Sequence, residues 1–141
     1  MVNSGVRQGC ILSPLLFVIL IDWIMKKTTN DQGRGIQWTM FTQLEDLDFA
    51  DDIALLSTTR NNLQTKMERL KTNAKRTGLK INKKKTEAMT INAPSPTPPL
   101  SLDGEIIKTT EDFTYLGSVI SQDNGAQKDI KARLSKARGA F

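Results

Sequence analysis

The segment from residue 11 to residue 25 is almost continuously apolar, and this pattern predicts a helix. Ser13 and Pro14 open it, since serine is a favourable N-cap and proline suits the first turn. Apolar side chains fall on nearly every side, which is typical of a helix inside the core. The run is broken by Ser13, Pro14 and Asp22 and falls short of the ~20 apolar residues of a membrane span. We therefore expect a buried core helix and no membrane partner.

A narrow apolar stripe predicts a second helix after residue 60. Its members follow one another at helical spacings and are Leu63, Met67, Leu70 and Ala74. Asn61 or Asn62 is the expected N-cap, and Gly78 is the expected residue just beyond the C-terminus. The remaining positions predict an exposed cationic face, which consists of Lys66, Arg69, Lys71, Lys75 and Arg76.

Shorter apolar stretches around these helices predict strands. Asp103 and Gly104 are a strong signal for a two-residue hairpin turn, and residues 83–85 are expected to join two further strands. A basic helix is expected from about Gln127 to Arg138. Together these elements predict an α+β fold, with a mostly antiparallel sheet, helices packed on it and an acidic hairpin at its centre. The expected strands cover residues 36–42, 79–82, 86–92, 100–102, 105–107 and 113–120.

A proline-rich stretch suggests how the chain is divided. Residues 93–99 contain four prolines, which favour an extended, semi-rigid spacer. We therefore predict a first segment over residues 1–92, a linker over residues 93–99 and a second segment over residues 100–141.

The stretch from residue 44 to residue 56 places two adjacent carboxylates, Asp51 and Asp52, between apolar residues. No lysine or arginine occurs from Gly35 to Thr59, so no neighbour in sequence neutralises them. Such charges repel by about 1 kcal/mol in water and about 4 kcal/mol near a protein surface. A divalent cation would relieve this repulsion, and oxygen ligands suit Mg²⁺ or Mn²⁺. Two interpretations remain open, a metal site on a tight turn between strands at residues 49–52 and a solvated acidic turn.

Composition limits the chemistry that is available. The chain has one cysteine and no histidine, which excludes disulfide frameworks, zinc clusters and histidine bases. The net charge is only +5, but residues 60–86 hold ten lysines or arginines against one acid, and residues 126–141 hold five against one. These basic segments are either solvated faces or the contact surface for a polyanion such as nucleic acid.

Four sequence blocks, in this order, resemble the reverse transcriptases of non-LTR (LINE-like) retrotransposons. They are GVRQGCILSPLLF at residues 5–17, FADD at 49–52, GLKINKKKTE at 78–87 and FTYLGSVIS at 113–121. The resemblance implies a partial polymerase palm in which FADD forms the tip of a hairpin. It also implies template-directed deoxynucleotidyl transfer with a two-metal mechanism, and a family that works inside the cell, in the nucleus or the cytoplasm.

The resemblance assigns roles to particular residues. Asp51 and Asp52 would be the catalytic carboxylates that hold Mg²⁺ or Mn²⁺, and Lys85 would assist proton transfer or contact phosphate, unless it is simply solvated. The residues expected near the nucleotide and template are Arg7, Gln8, Gly9, Phe49 and Ala50. Those expected in the primer grip are Phe113, Tyr115, Leu116 and Gly117. For Phe49 and for the aromatic strand residues, a place in the hydrophobic core is the alternative.

The implied partners are an RNA template, a DNA primer, a deoxynucleotide and the remaining parts of a polymerase. In this family a third catalytic aspartate precedes the first block by tens of residues, whereas that block begins here at Gly5. We therefore expect the isolated chain to be inactive. The alternative is a non-catalytic remnant that binds nucleic acid through residues 60–86 and 126–138.

Overall fold

The computed structural model describes residues 11–30, 33–92, 98–123 and 125–139, and its elements confirm the α+β class. The chain divides into two compact units, residues 1–81 and 82–141. The helices are α1 (Ser13–Thr28), α2 (Arg60–Arg76) and α3 (Gln127–Gly139). The strands of the first unit are β1 (Ile36–Gln37), β2 (Gln43–Leu44), β3 (Asp46–Phe49) and β4 (Asp52–Leu55). Those of the second unit are β5 (Glu87–Ala88), β6 (Ser101–Leu102), β7 (Glu105–Ile106), β8 (Lys108–Thr109), β9 (Asp112–Tyr115) and β10 (Ser118–Ser121).

The core of the first unit lies where α1 and α2 pack against each other. Ile21, Ile24 and Met25 of α1 are buried together with Leu70 of α2. The partly buried residues packed against this cluster come from several elements and are Phe17, Leu20, Ile53, Leu55, Leu79 and Ile81. Because alternate residues of a strand share a face, β4 packs on the helices through one side only. The core therefore supports the β3–β4 hairpin from its β4 strand.

Helix α1 differs from the sequence prediction in its start and in its burial. Its N-cap is Leu12, whose side chain makes no capping hydrogen bond, so Ser13 lies inside the first turn instead of capping it. Leu15, Val18 and Ile19 are 58%, 60% and 56% exposed. The helix thus buries one face against α2 and presents an apolar face to solvent within the described unit.

Helix α2 begins two or three residues earlier than predicted. Thr59 is the N-cap, in an extended conformation with φ −131°, and its hydroxyl accepts a hydrogen bond of 3.3 Å from the Asn62 N–H. Neither Asn61 nor Asn62 is therefore the cap. At the other end Gly78 has φ +83°, which places it just beyond the helix as predicted, in a left-handed conformation that glycine adopts without a steric penalty.

The strands are shorter than predicted, and they form five separate two-stranded sheets among the described residues instead of one. Residues 36–42 are not a single strand, because the chain turns back after Gln37 and β1 pairs with β2. Residues 79–82 are not a strand either. There the Leu79 N–H is bonded to Ala74 at the end of α2, and the Thr86 N–H to Asn82 in a turn.

The second unit is built from three small sheets and α3. Asp103 and Gly104, with φ +52° and +77°, form the predicted two-residue turn between β6 and β7. The parallel pair β5–β8 joins residues on both sides of the predicted linker, and residues 93–97 of that linker lie outside the described residues. Over the part of the chain that is described, no helix combines the length and the apolar character needed to cross a membrane.

Candidate functional site

The acidic stretch forms an antiparallel hairpin. Strands β3 and β4 pair from Asp46 opposite Leu55 to Phe49 opposite Asp52, which leaves Ala50 and Asp51 as a two-residue turn. Ala50 has φ +56°, a left-handed conformation that costs an L-residue about 1–2 kcal/mol. The tight turn brings the two adjacent aspartates to one end of the hairpin.

Asp51 and Asp52 are both exposed at this end. Asp51 is the second residue of the turn and Asp52 is the first residue of β4. Phe49, directly opposite Asp52, is 62% exposed, so it is not part of the core of the hairpin. The end of the hairpin therefore presents two carboxylates and an aromatic ring to whatever approaches it.

The pair of carboxylates has the oxygen chemistry that Mg²⁺ and Mn²⁺ prefer. Among the described residues, however, no group of three histidine, cysteine, aspartate or glutamate side chains is arranged to hold a metal ion. Asp46 stands at the opposite end of the hairpin, opposite Leu55. Asp51 and Asp52 thus have the ligand type that suits a divalent cation, and a metal site at this position would need further ligands.

At the base of the hairpin lies a charged group that the sequence analysis missed. Lys66 of α2 is 1% exposed, and its Nζ donates hydrogen bonds to the carbonyl oxygens of Glu45 at 3.0 Å and Leu56 at 2.6 Å. The same Nζ forms an ion pair with Oε2 of Glu45. Glu45 directly precedes β3 and Leu56 directly follows β4, so one ammonium group connects the two strands where they begin and end.

Glu45 also holds the loop that precedes the hairpin. Its Oε1 accepts hydrogen bonds from the backbone N–H groups of Gly33 at 3.1 Å and Arg34 at 3.2 Å. Burial opposes ionisation of this carboxyl, but the hydrogen bond and charge of Lys66, together with backbone N–H groups of Gly35 and Gly33, outweigh it and lower the Glu45 pKa. Glu45 is therefore a partly buried carboxylate that is paired with a buried counter-charge.

The neighbouring Asp46 behaves in the opposite way. Burial raises its pKa, and the nearby Asp48 carboxylate raises it further, while Lys66 and a hydrogen bond from Thr29 act against the shift. Two adjacent acids at the base of the hairpin thus have pKa values displaced in opposite directions.

The prediction that Lys66 belongs to an exposed cationic face is wrong. A signal for its burial was present in the spacing, because residue 66 lies one turn from residues 63 and 70 and so borders the apolar stripe of α2. The missing counter-charge for the acidic stretch also pointed to a cation from a distant segment. Lys66 supplies it for Glu45.

A second hairpin holds the residues assigned to the primer grip. Strands β9 and β10 pair so that Leu116 and Gly117, with φ +49° and +83°, form a two-residue turn. Phe113 and Tyr115 are half-buried on one face of β9, with ring centroids 6.4 Å apart and ring planes inclined by 22°. Their burial is thus intermediate between a core position and a free surface.

Helix α3 is attached to this second hairpin by surface polar contacts. Asp129 Oδ1 accepts a hydrogen bond from the Val119 N–H at 2.9 Å, and Lys128 Nζ contacts both carboxylate oxygens of Asp112 at 2.7 and 2.9 Å. The hydrogen bond from Lys128 lowers the Asp112 pKa. The Val119 N–H and then Arg133 lower the Asp129 pKa.

The other predicted site residues are placed as follows. Lys85 is exposed in the turn after Asn82, to whose carbonyl its backbone N–H donates at 3.1 Å. It belongs to the second unit, together with residues 113–117, whereas Asp51 and Asp52 belong to the first. Arg7, Gln8 and Gly9 lie outside the described residues.

Comparison with known proteins identifies the family. A family model for reverse transcriptase (RNA-dependent DNA polymerase) matches residues 1–120. Relatives include the retrovirus-related Pol polyprotein from type-1 retrotransposable element R2 of Popillia japonica, 29% identical over 142 residues, which cover 92% of this chain and 23% of that protein. The protein of the same name from Nasonia vitripennis is 33% identical over 89 residues, which cover 62% of this chain and 8% of that protein.

This chain thus spans less than a quarter of the length of the curated relatives it matches. Since both comparisons agree with the four sequence blocks, the chain belongs to the reverse transcriptase family, in its LINE-like, non-LTR branch.

Proposed function

We propose that this chain is the part of an RNA-directed DNA polymerase that carries two of its catalytic carboxylates, Asp51 and Asp52. The observation that carries the proposal is the exposed end of the β3–β4 hairpin, at which the FADD block places both side chains. The substrates are a DNA primer, an RNA template and a deoxynucleotide, and the reaction is attack of the primer 3′-hydroxyl on the α-phosphate. Bound Mg²⁺ ions would activate the attacking oxygen and stabilise the leaving pyrophosphate.

The residues of this chain contribute position and charge. The turn holds Asp51 and Asp52 side by side, so their oxygens can bind cations that also contact the phosphates of the nucleotide. Phe49, at the end of β3, and Ala50, in the turn, are exposed and available to contact the primer end or the nucleotide. Because phosphoryl transfer depends mainly on positioning and charge stabilisation, the rigidity of this hairpin contributes directly to the reaction.

We further propose that the 141-residue chain alone does not extend a primer. Mg²⁺ requires near-octahedral oxygen coordination, and two neighbouring carboxylates supply only part of it. A third carboxylate from another part of the polymerase would complete the site.

Primer extension tests this requirement. The chain is incubated with poly(rA), an oligo(dT) primer and Mg²⁺ or Mn²⁺, and no incorporation is expected. Incorporation that disappears in Asp51→Asn would contradict the need for a third carboxylate while supporting the role of Asp51. Incorporation that persists in Asp51→Asn would contradict both.

A second candidate function is nucleic-acid binding without catalysis, and α3 favours it. None of the side chains of this helix is buried, and it carries five cations, of which Lys128 and Arg133 contact Asp112 and Asp129. The others are exposed on this helix, which suits contact with a phosphate backbone. These are Lys131, Lys136 and Arg138.

Binding of single-stranded RNA at several salt concentrations tests this candidate. The slope of log affinity against log salt should fall by about 0.7 for each lost phosphate contact in the double variant Lys131→Gln, Lys136→Gln. The double variant Lys26→Gln, Lys27→Gln removes the same charge from the end of α1 and should leave the slope unchanged. Equal slopes in all three proteins would exclude α3 as the binding surface.

A further inference from the structure

Lys66 is the one buried lysine among the described residues, and neither the catalytic role of the aspartates nor nucleic-acid binding uses it. An ammonium group away from water costs several kcal/mol unless it is paired and hydrogen-bonded. A methionine could fill a similar volume without that cost. Packing alone therefore does not explain why a charged side chain occupies this position.

The acceptors of Lys66 provide the explanation. An ammonium group has three donors, and here it contacts three oxygen atoms: the carbonyl of Glu45, its Oε2 and the carbonyl of Leu56. The Leu56 N–H in turn donates to the Glu45 carbonyl at 2.9 Å. The contacts thus fall on the residue before β3 and the residue after β4, and no apolar side chain could make them.

The connection also extends to the loop before β1. Glu45 Oε1 binds the N–H groups of Gly33 and Arg34, and Ser57 Oγ donates to the Arg34 carbonyl at 2.7 Å. Lys66 therefore joins α2 and both ends of the hairpin to a third segment. We call Lys66, Glu45 and the Leu56 carbonyl the hairpin clamp.

The clamp lies far from the carboxylates it would serve. At about 3.4 Å per residue, the five steps from Glu45 to Ala50 span about 17 Å. Lys66 therefore touches neither a metal at Asp51 nor a substrate, and any effect on that site passes through the two strands.

We propose that Lys66 is a positioning residue, whose ammonium group fixes the ends of β3 and β4 on α2 and thereby holds the turn with Asp51 and Asp52 in one place. The β3–β4 ladder has no further strand on either edge among the described residues, so the clamp and the packing of Ile53 and Leu55 are its supports. The effect on the hairpin stands on its own, whereas the effect on metal binding rests on the proposed function.

Replacing the ammonium group at position 66 with a methyl group tests the clamp. Lys66→Cys is made in a Cys10→Ser background, and the unfolded chain is alkylated either with 2-bromoethylamine or with 1-bromopropane and then refolded. The two products have side chains of equal length that end in an ammonium or a methyl group. The same pair made at Lys75→Cys, on the exposed side of α2, is the matched control.

The first measurement is amide hydrogen exchange, which does not depend on the proposed function. Loss of a charged hydrogen bond should accelerate exchange at residues 46–55 by about tenfold or more in the methyl-ended chain relative to the ammonium-ended chain, with α1 and α2 still folded and exchanging more slowly than residues 46–55. Equal exchange at residues 46–55, whether both products fold or neither does, would overturn the proposal. Unfolding of α1 and α2 in the methyl-ended product alone would overturn it as well, because Lys66 would then serve the fold in general.

The second measurement is broadening of amide signals by added Mn²⁺. The ammonium-ended chain should show broadening centred on residues 50–52, and the methyl-ended chain should show it spread over more residues or lost. If neither chain shows broadening there while hydrogen exchange distinguishes them, the metal site fails and the clamp remains. The two failures are thereby distinguishable.

Discussion

Two hairpins of this protein, β3–β4 and β9–β10, have strands of four residues each but are supported differently. The β3–β4 and β9–β10 pairs each connect through a two-residue turn with a left-handed first residue, Ala50 in one and Leu116 in the other. The first hairpin is held at its base by the buried Lys66 and by core packing. The second is held by contacts of Asp112 and Asp129 on the surface.

This difference bears on what each hairpin can do. Surface ion pairs are weak and are screened by salt, so the second hairpin and α3 can separate at small cost. A buried, fully hydrogen-bonded charge is costly to disturb, so the first hairpin keeps one geometry. The rigid support belongs to the hairpin with the carboxylates, as a metal site requires.

Removal of the buried charge gives the largest expected effect. Lys66→Met leaves the partly buried Glu45 without its partner and should lower the free energy of unfolding by about 3–5 kcal/mol, measured by urea denaturation followed through tryptophan fluorescence. Lys75→Met, on the exposed side of the same helix, should change it by less than about 0.5 kcal/mol. Lys128→Met, in the second unit, should leave the midpoint of the first unit unchanged. Similar losses in Lys66→Met and Lys75→Met would remove the distinction between a buried and a surface support.

Adding a methyl group at Gly35, beside the clamp, should have the next largest effect on the free energy of unfolding. A Cβ on Gly35 would lie 2.3 Å from the carbonyl oxygen of Leu44, so backbone must move to admit it. Gly35→Ala should lower the free energy of unfolding by about 1–3 kcal/mol, the usual cost of overpacking. Gly139→Ala meets no atom within 4 Å and serves as the control. An unchanged unfolding midpoint in Gly35→Ala would show that this loop is not fixed against β2.

Acid should weaken the supports of both hairpins. A carboxyl whose pKa is lowered by folding stabilises the protein above its ordinary pKa, and this stabilisation is lost as the pH falls through the lower, folded value. For Glu45 the loss begins below the ordinary value of 4.5. Asp46, with a raised pKa, has the opposite sign, since the folded chain holds its proton more tightly.

The Glu45 contribution is isolated by comparing the wild type with Glu45→Gln. Hydrogen exchange at residues 46–55 should accelerate in the wild type as the pH falls below 4.5, after correction for the intrinsic pH dependence of exchange. The corrected change should be absent in Glu45→Gln, in which Asp46 makes a contribution of the opposite sign. The same corrected pH dependence in both proteins would assign the transition to another group.

The turns should show the smallest effect. Ala50→Gly removes the strain of an L-residue in a left-handed conformation but increases the conformational entropy of the unfolded chain. The net gain in the free energy of unfolding should therefore be at most about 1 kcal/mol. Leu116→Gly should give a similar gain in the second hairpin, because the first residue of each turn is left-handed. The measurement is the urea midpoint of each unit, and a loss at Ala50 without one at Leu116 would show that the turns differ too.

Local signals in the sequence predicted a substantial part of this structure. Asp103-Gly104 marked its turn, Gly78 marked the end of α2, and the apolar spacing of Met67, Leu70 and Ala74 marked the buried face of that helix. Each of these features depends on residues that are close together in the chain. The four family blocks depend on residue identity and were equally visible.

The features that the sequence did not reveal depend on contacts between distant segments. Lys66 looks like any surface lysine until residues 45 and 56 are placed beside it. The exposure of Leu15 and Val18 on α1 could not be predicted from an all-apolar pattern, because such a pattern does not say how much neighbouring structure is there to cover it. The pattern predicts one strand over residues 36–42, whereas the chain turns back between β1 and β2, and Trp38, Met40 and Phe41 are exposed in that connection.

We propose that the FADD turn binds a divalent metal ion and that the hairpin clamp holds this turn in place. Titration of the ¹⁵N-labelled chain with Mn²⁺ tests this by showing which amide signals broaden. In the wild type, broadening should centre on residues 50–52. It should be lost in the double variant Asp51→Asn, Asp52→Asn and kept in the control Asp46→Asn. If broadening is absent from residues 50–52, or persists there in the double variant, these aspartates do not bind the metal ion.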